Sequence, residues 1–513
     1  MTKTLLLAGI FSDGMVLQRN AVNKIWGTDT LADEVTILMD GHILISKVSE
    51  GRFSAHLPAR DAGAGVSIVF KGSETVEIRD VSFGDVFMLS GQSNMELPVG
   101  RVLDVSGDEV RSSNYPEICQ YRLTPEFVFG EDEESSLPAS KWTKAVPGEI
   151  MEMSAAGFFF AKRIHEEIGV PIGLILNAQG GSSIEAWMPM TVLNSFGDYS
   201  DKIKPFLEKG NLASFLIERE TRIRKWYESI DAGVGEIYSK EIPDSAKRIT
   251  LPAMFQGEEI GGFSGSIWFY KEVFLESDPG ENGLLYVGEL IDSDMTYING
   301  VQIGETAYRY PPRKYDFDPS LLHIGKNLIA VRLVIEQGCG GFIPEHPYYL
   351  ESGNNHIELD GEWSYFIEKR AAQNGVEGFM AQTLPSGLFR ASILTLSGLS
   401  MKGILWYQGE TNSGAPDRYD EKFNAMISCW REHLSNDLPV ICVEMADYHD
   451  PINGASVGWS EIQKMQRRAP ENTAFCEVVS AKDLGAPYEL HPQYKSQLGE
   501  RLAEKMLDFL YHR

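Results

Sequence analysis

Apolar residues fall along this chain in two alternating textures. Up to about residue 84 they come as short β-branched or alternating runs at 35–39, 42–45, 52–57 and 66–70. Asp40-Gly41, Glu50-Gly51 and Lys71-Gly72 punctuate these runs. Period-two patterning between such turns predicts antiparallel strands, here a small β-sandwich over 1–84. From residue 85 the runs become continuous: Val86 to Leu89, Leu174 to Asn177, Ile404 to Tyr407 and Leu438 to Val443. Unbroken apolar runs are the mark of strands buried on both faces. Helix-period stretches lie between them. Over 154–170, Phe158, Phe159, Ala161, Ile164 and Ile168 make an apolar stripe opposite Lys162, Arg163, Glu166 and Glu167. Over 417–434, Phe423, Met426, Ile427 and Trp430 do the same, and 459–468 and 491–510 also read as helices. A charged helix over 212–230 reads as peripheral. Strand alternating with helix predicts an α/β domain with a parallel sheet, in two parts, 85–255 and 367–513.

Between those parts, 256–366 returns to β texture. Runs at 266–274, 283–287, 295–298 and 327–333 read as strands, and Asn299-Gly300 is a hairpin signal because both positions tolerate φ > 0. The α/β domain is therefore read as interrupted by a β-module.

Three of the buried runs end in small or polar blocks. Val86 to Leu89 leads into Ser90-Gly91-Gln92-Ser93-Asn94-Met95-Glu96, the second run into Gln179-Gly180-Gly181-Ser182-Ser183-Ile184-Glu185-Ala186-Trp187, and the third into Gln408-Gly409-Glu410-Thr411-Asn412. Open α/β sheets bind ligands outside the carboxyl ends of their strands, so these blocks are the candidate site. Taken alone, Ser93 is as well explained as a helix cap or turn residue. Late in the chain comes Glu489-Leu490-His491-Pro492. The GlyGlnSerAsnMet, GlyGlySerSerIleGluAlaTrp, TrpTyrGlnGlyGlu and HisPro blocks together resemble the SGNH-type hydrolases, closest to the carbohydrate-esterase branch with sialate O-acetylesterases and some acetylxylan esterases. The stretch Phe11-Ser12-Asp13-Gly14-Met15-Val16-Leu17-Gln18-Arg19 resembles the start of the same family. The 256–366 stretch resembles the galactose-binding-like jelly roll of family 2 glycosidases, through Tyr297-Ile298-Asn299-Gly300 and Ile324-Gly325-Lys326-Asn327-Leu328. The resemblance implies a three-layer SGNH-type hydrolase domain with an inserted jelly-roll module, used for packing more than for sugar contact.

Composition narrows the partners. A net charge of −27 disfavours nucleic acid and anionic membranes, and requires a local basic patch for any anionic sugar. Cys119, Cys339, Cys429, Cys442 and Cys476 are scattered and odd in number, neither a disulfide framework nor a zinc site, and read as free thiols. The apolar run within residues 1–11 reads as a strand rather than a signal peptide, and no run approaches the roughly 18 residues of a membrane span. A cytoplasmic protein is expected. No metal-ligand spacing, GxGxxG or P-loop is present, so no cofactor and no metal are expected.

A serine hydroxyl becomes a nucleophile when a base takes its proton, and His491 is the candidate base. His346-Pro347 repeats the dipeptide inside the β-module, and His449 stands on a loop. The third member should orient the imidazole. The family's usual acid, three residues before the histidine, is replaced here by Tyr488; Glu489 is the leading candidate, with Asp483 or a plain Ser–His dyad as alternatives. Oxyanion donors are expected from the Ser93 amide, Gly181 and the Gln408 side chain, with Asn412 as alternative to Gln408. Gln92, Asn94, Trp187 and Glu410 are the candidate substrate contacts, with Glu410 read as a buried structural carboxylate in preference to a catalytic role. The resemblance implies an esterase that removes acetyl groups from O-acetylated sugars, sialic acid first and xylan-type sugars second. A glycosidase would need two carboxylates about 5–9.5 Å apart across a cleft, and no catalytic barrel sequence accompanies the module. A non-catalytic sugar-binding protein would not need Ser93 and His491.

Overall fold

One strand, Thr75–Gly91, organises the molecule. The computed structural model describes residues 4–124, 127–129, 140–208, 210–232, 236–376, 378–435, 437–450 and 454–511. The first half of this strand pairs antiparallel with Gly63–Lys71 and parallel with Val16–Gln18. Its second half pairs parallel with Ile172–Ala178 on one side and Gly403–Tyr407 on the other. From Val81 onward every residue is buried, the burial expected of a strand covered on both faces. A single strand thus joins the N-terminal β-layers to the parallel sheet, and the boundary expected at 84/85 falls inside it. One hydrophobic core accordingly runs from Leu5 and Ile37 to Leu405 and Met506. Leu5–Leu7 forms the N-terminal strand, and residues 1–3 of that expected run lie outside the described residues.

The parallel sheet runs Trp142–Ala145, Tyr115–Arg122, Ile172–Ala178, Thr75–Gly91, Gly403–Tyr407, Val440–Glu444, Cys476–Ser480, with only the first strand antiparallel. Helix Ala155–Ile168 packs on Tyr115–Arg122 and Ile172–Ala178, and against the final helix, Lys495–Leu510. The first of these is capped as its sequence suggests: Ser154 Oγ accepts from the Gly157 amide at 3.0 Å and Gly169 ends it in the left-handed region. The final helix starts at Lys495, four residues later than expected, which leaves His491 on the loop before it.

Register decides where the site forms. Gly91 is opposite both Ala178 and Tyr407, so the three motif blocks leave the sheet side by side. Gly91 has φ +126°, and a Cβ there would lie 2.0 Å from the Tyr407 carbonyl oxygen. Only glycine permits both the conformation and that approach.

The inserted β-unit has a six-stranded and a four-stranded antiparallel sheet that share a separate core around Ile267, Phe269, Leu285, Leu350 and Trp363. Its strands extend from Lys247–Leu251, paired with Gly361–Arg370, beyond the 256–366 expected. Asn299 and Gly300 both take positive φ in the hairpin joining Ser293–Ile298 to Val301–Thr306.

Candidate active site

Ser93 is the first residue of a one-turn helix, Ser93–Glu96, that starts two residues beyond the end of the Thr75–Gly91 strand. The turn is held from outside: Ser154 Oγ donates to the Met95 carbonyl at 2.7 Å. Ser93 Oγ lies 2.9 Å from His491 Nε2, across 398 positions of sequence. Both residues are half-buried and reachable from solvent. Burial, with Lys495 and Arg101 adding positive charge nearby, holds the imidazole down to a pKa of about 3. The ring is therefore neutral at pH 7, and with the proton on Nδ1 its Nε2 accepts from the Ser93 hydroxyl.

The residue next to each member holds the other. Asn94 Nδ2 donates to the Leu490 carbonyl at 3.0 Å and to Glu410 Oε1 at 2.7 Å, and Asn94 Oδ1 accepts from Lys495 Nζ at 2.7 Å. Burial raises the Glu410 carboxyl and lowers the Lys495 ammonium, the latter to about 8. Both Asn94 protons are thus spent on Glu410 and the His491 loop, and both residues are buried.

Of the other expected contacts, Trp187 and Gln408 are also spent. Trp187 is wholly buried, edge-to-face with Trp406 and Trp430 at 6.1 and 6.2 Å, so it is core and not a sugar platform. Gln92 is buried, and its Oε1 accepts from the Gly409 and Thr411 amides at 3.4 and 3.3 Å, joining two motif blocks. Gln408 gives both amide protons away, to the Ser182 carbonyl at 3.0 Å and Asn412 Oδ1 at 2.7 Å, and its Oε1 accepts from Tyr419. It has no donor left for an oxyanion. Asn412 Nδ2 donates to Glu185 Oε2 at 2.9 Å, with Lys422 on the other carboxylate oxygen.

Two backbone donors remain. The Ser93 amide is a free first-turn donor, and the Gly181 amide donates to no group among the described residues. Gly180 lies against Ser93, but its amide is taken by Glu96 Oε2 at 2.7 Å. Glu96 is a residue the sequence did not single out; it orients the Gly180-Gly181 turn beside the helix N-terminus.

The expected acid does not reach the histidine. Glu489 makes no hydrogen bond to His491; its buried carboxyl is pushed up to about 7 by desolvation, with Lys495 opposing and Glu345 and Asp104 adding to the rise. Asp483 is engaged by Arg501 at 2.7 Å through both oxygens. No described group hydrogen-bonds to His491 Nδ1. What does touch the ring is Tyr310 of the inserted unit, edge-to-face at 5.1 Å and 89°. Nothing in the sequence pairs Tyr310 with a residue 181 positions later.

Among the described residues no three or more His, Cys, Asp or Glu side chains gather as a metal site requires, and no helix is long and apolar enough to cross a membrane. The five cysteines are unpaired, four buried and Cys339 half-buried.

A serine and a histidine are thus in contact at the carboxyl edge of a parallel sheet. Residues 83–217 and 387–508 match the family described as carbohydrate esterase, sialic acid-specific acetylesterase, and the chain belongs to that family. Sialate O-acetylesterase of Homo sapiens is 28% identical over 210 residues, 37% of this chain and 40% of that protein. The Pongo abelii protein of the same name is 27% identical over 208 residues, with the same coverage. The matched region is thus 40% of the length of these curated relatives. A carbohydrate acetylesterase from Xanthomonas citri shares the fold, with TM-score 0.58 and 20% identity over 99% of this chain and 76% of that one.

Proposed function

We propose that this protein is a carbohydrate O-acetylesterase that works through a serine acyl-enzyme, with O-acetylated sialic acid as its substrate class. The fold is read as a three-layer SGNH-type hydrolase interrupted by a galactose-binding-like jelly roll. The observation that carries the reading is the 2.9 Å contact between Ser93 Oγ and a neutral His491; family membership supports it. Ser93 Oγ attacks the acetyl carbonyl while His491 Nε2 takes the hydroxyl proton. The oxyanion is stabilised by the Ser93 and Gly181 amides. His491 returns its proton to the sugar oxygen as the ester C–O bond breaks. Water then attacks the acetyl-Ser93 carbonyl, giving its proton to His491, which passes it to Ser93 Oγ as the acetyl–Oγ bond breaks, so that acetate leaves with the serine hydroxyl and neutral imidazole restored. Without a side-chain acid on Nδ1, the pair acts as a dyad.

Acetate release from 4-nitrophenyl acetate and from O-acetylated sialic acid tests this. Wild type should turn over both, and Ser93→Ala should lose at least about a thousandfold in kcat. Full activity in Ser93→Ala overturns the nucleophile. Turnover of acetylated xylose but not of the sialic acid ester moves the substrate to neutral sugars.

A further inference from the structure

The chain carries a charge of −27, so an acidic sugar is repelled at long range and needs a local cation at the site. Most cations around Ser93 and His491 are already matched. Arg309 is held by Asp292, Arg313 by Asp294 at 2.8 Å, and Lys314 by Asp104. Lys495 is buried on Asn94. Arg101 differs. It ends the short turn Val99–Arg101, eight residues after Ser93, and its side chain is 24% exposed. Its Nη2 donates to the Tyr310 carbonyl at 2.5 Å, which pins to the hydrolase unit the loop whose tyrosine ring lies edge-on to His491. Neither Nη1 nor Nε donates to a described group.

Among the described residues the carboxyl paired with it is Glu289, at the long distance of 3.5 Å. Burial pushes Glu289 up to about 8, so at pH 7 it is mostly neutral and leaves the arginine charge uncompensated. Of the other acids of this seam, Glu345 and Glu489 are also raised by burial, whereas Asp104 is held low and is engaged by Lys314, Tyr286 and Gln493; His346 is held down to about 4 and is neutral. The field of Arg101 reaches the site, since it helps to depress the His491 pKa.

We propose that Arg101, pinned by the inserted unit, binds a carboxylate on the substrate, so that the site selects acetyl esters of acidic sugars over neutral ones. A guanidinium is a permanently charged planar fork that matches a carboxylate, and here Nη1 donates to no described group while Nε is buried without a partner. The inference rests on the esterase reading above and assigns its specificity.

The test compares acetate release by the full chain from O-acetylated sialic acid and from the same compound with its carboxylate converted to a carboxamide. Wild type should prefer the acid by about ten- to hundredfold in kcat/KM, through KM, as charged hydrogen bonds of this kind allow. Arg101→Gln should bring that ratio to within about threefold of one, and Arg101→Lys should retain part of it. Equal rates for acid and carboxamide in wild type overturn the inference while leaving an esterase in place, and that arm needs no variant to fold. An undiminished ratio in Arg101→Gln also overturns it. If wild type cleaves neither these esters nor 4-nitrophenyl acetate, it is the esterase reading that has failed, and the inference with it.

Discussion

Asn94, the residue after Ser93, donates to the main-chain carbonyl of Leu490, the residue before His491, at 3.0 Å. The two halves of the site are therefore joined by their neighbours as well as by the hydroxyl–imidazole contact. Asn94→Ala should reduce kcat by at least about tenfold. It should also destabilise the protein by about 1–3 kcal/mol, because Glu410 and Lys495 each lose a buried hydrogen bond. Kinetics with 4-nitrophenyl acetate alongside thermal unfolding measure both; an unchanged kcat would show that Ser93 alone aligns His491.

Glu489 stands two residues before His491 without bonding to it. Replacing a triad acid that bonds the imidazole costs about 10⁴ in kcat. Glu489→Gln should cost less than about tenfold, while His491→Ala should cost at least about a thousandfold. A loss near 10⁴ in Glu489→Gln would restore it as the orienting acid.

Gly91 tests the register that gathers the site. Gly91→Ala forces a side chain into φ +126° and onto the Tyr407 carbonyl. The expected cost is about 3 kcal/mol or more, seen as low soluble yield and a reduced Tm. A variant with wild-type Tm would mean that the strands Thr75–Gly91 and Gly403–Tyr407 separate more readily than their packing implies.

Stability should fall as pH rises through neutrality. Glu289 and Glu489 are raised from an ordinary value of 4.5 to about 8 and about 7. Glu289 faces Arg101, Arg313, Glu345, Glu489 and His346, and Glu489 faces Lys495, Glu345 and Asp104; desolvation outweighs the cations in both cases. Above about pH 4.5 the unfolded chain releases protons that the folded state keeps, so each group lowers stability progressively up to its folded pKa. The titration of His491, held at about 3, acts in the opposite direction below about pH 6.5. Between about pH 6.5 and 8, Tm should decline in wild type and decline less in Glu289→Gln and Glu489→Gln. Parallel slopes in all three proteins would contradict the burial assigned to these carboxyls.

Much of the architecture is legible in hydrophobic spacing. The helix expected over 154–170 is observed at Ala155–Ile168, with Ser154 and Gly169 as its caps, because capping is local chemistry. The strands of the β-unit follow for the same reason, down to the Asn299-Gly300 turn. The 84/85 boundary was not legible. A change from alternating to continuous burial marks where a strand passes beneath a second layer, and here the same strand continues through that change.

The sequence by itself determined the strand ends, the motif blocks that follow them, and the serine and histidine that meet there, since each depends on local patterning around a single residue. Tertiary structure alone decided which polar groups are free. Gln408 and Asn94 have the same chemistry as oxyanion or sugar donors, but partners far along the chain consume their amide protons: Ser182 for Gln408, Leu490 and Glu410 for Asn94. Trp187 has the same ring as a sugar platform, but Trp406 and Trp430 enclose it. Hydrogen-bond capacity is finite and burial is set by three-dimensional packing, so a side chain's availability cannot be read from its type. The Arg101–Tyr310 contact spans 209 positions and two cores, and exists only because the inserted unit folds back onto the Ser93 edge of the sheet.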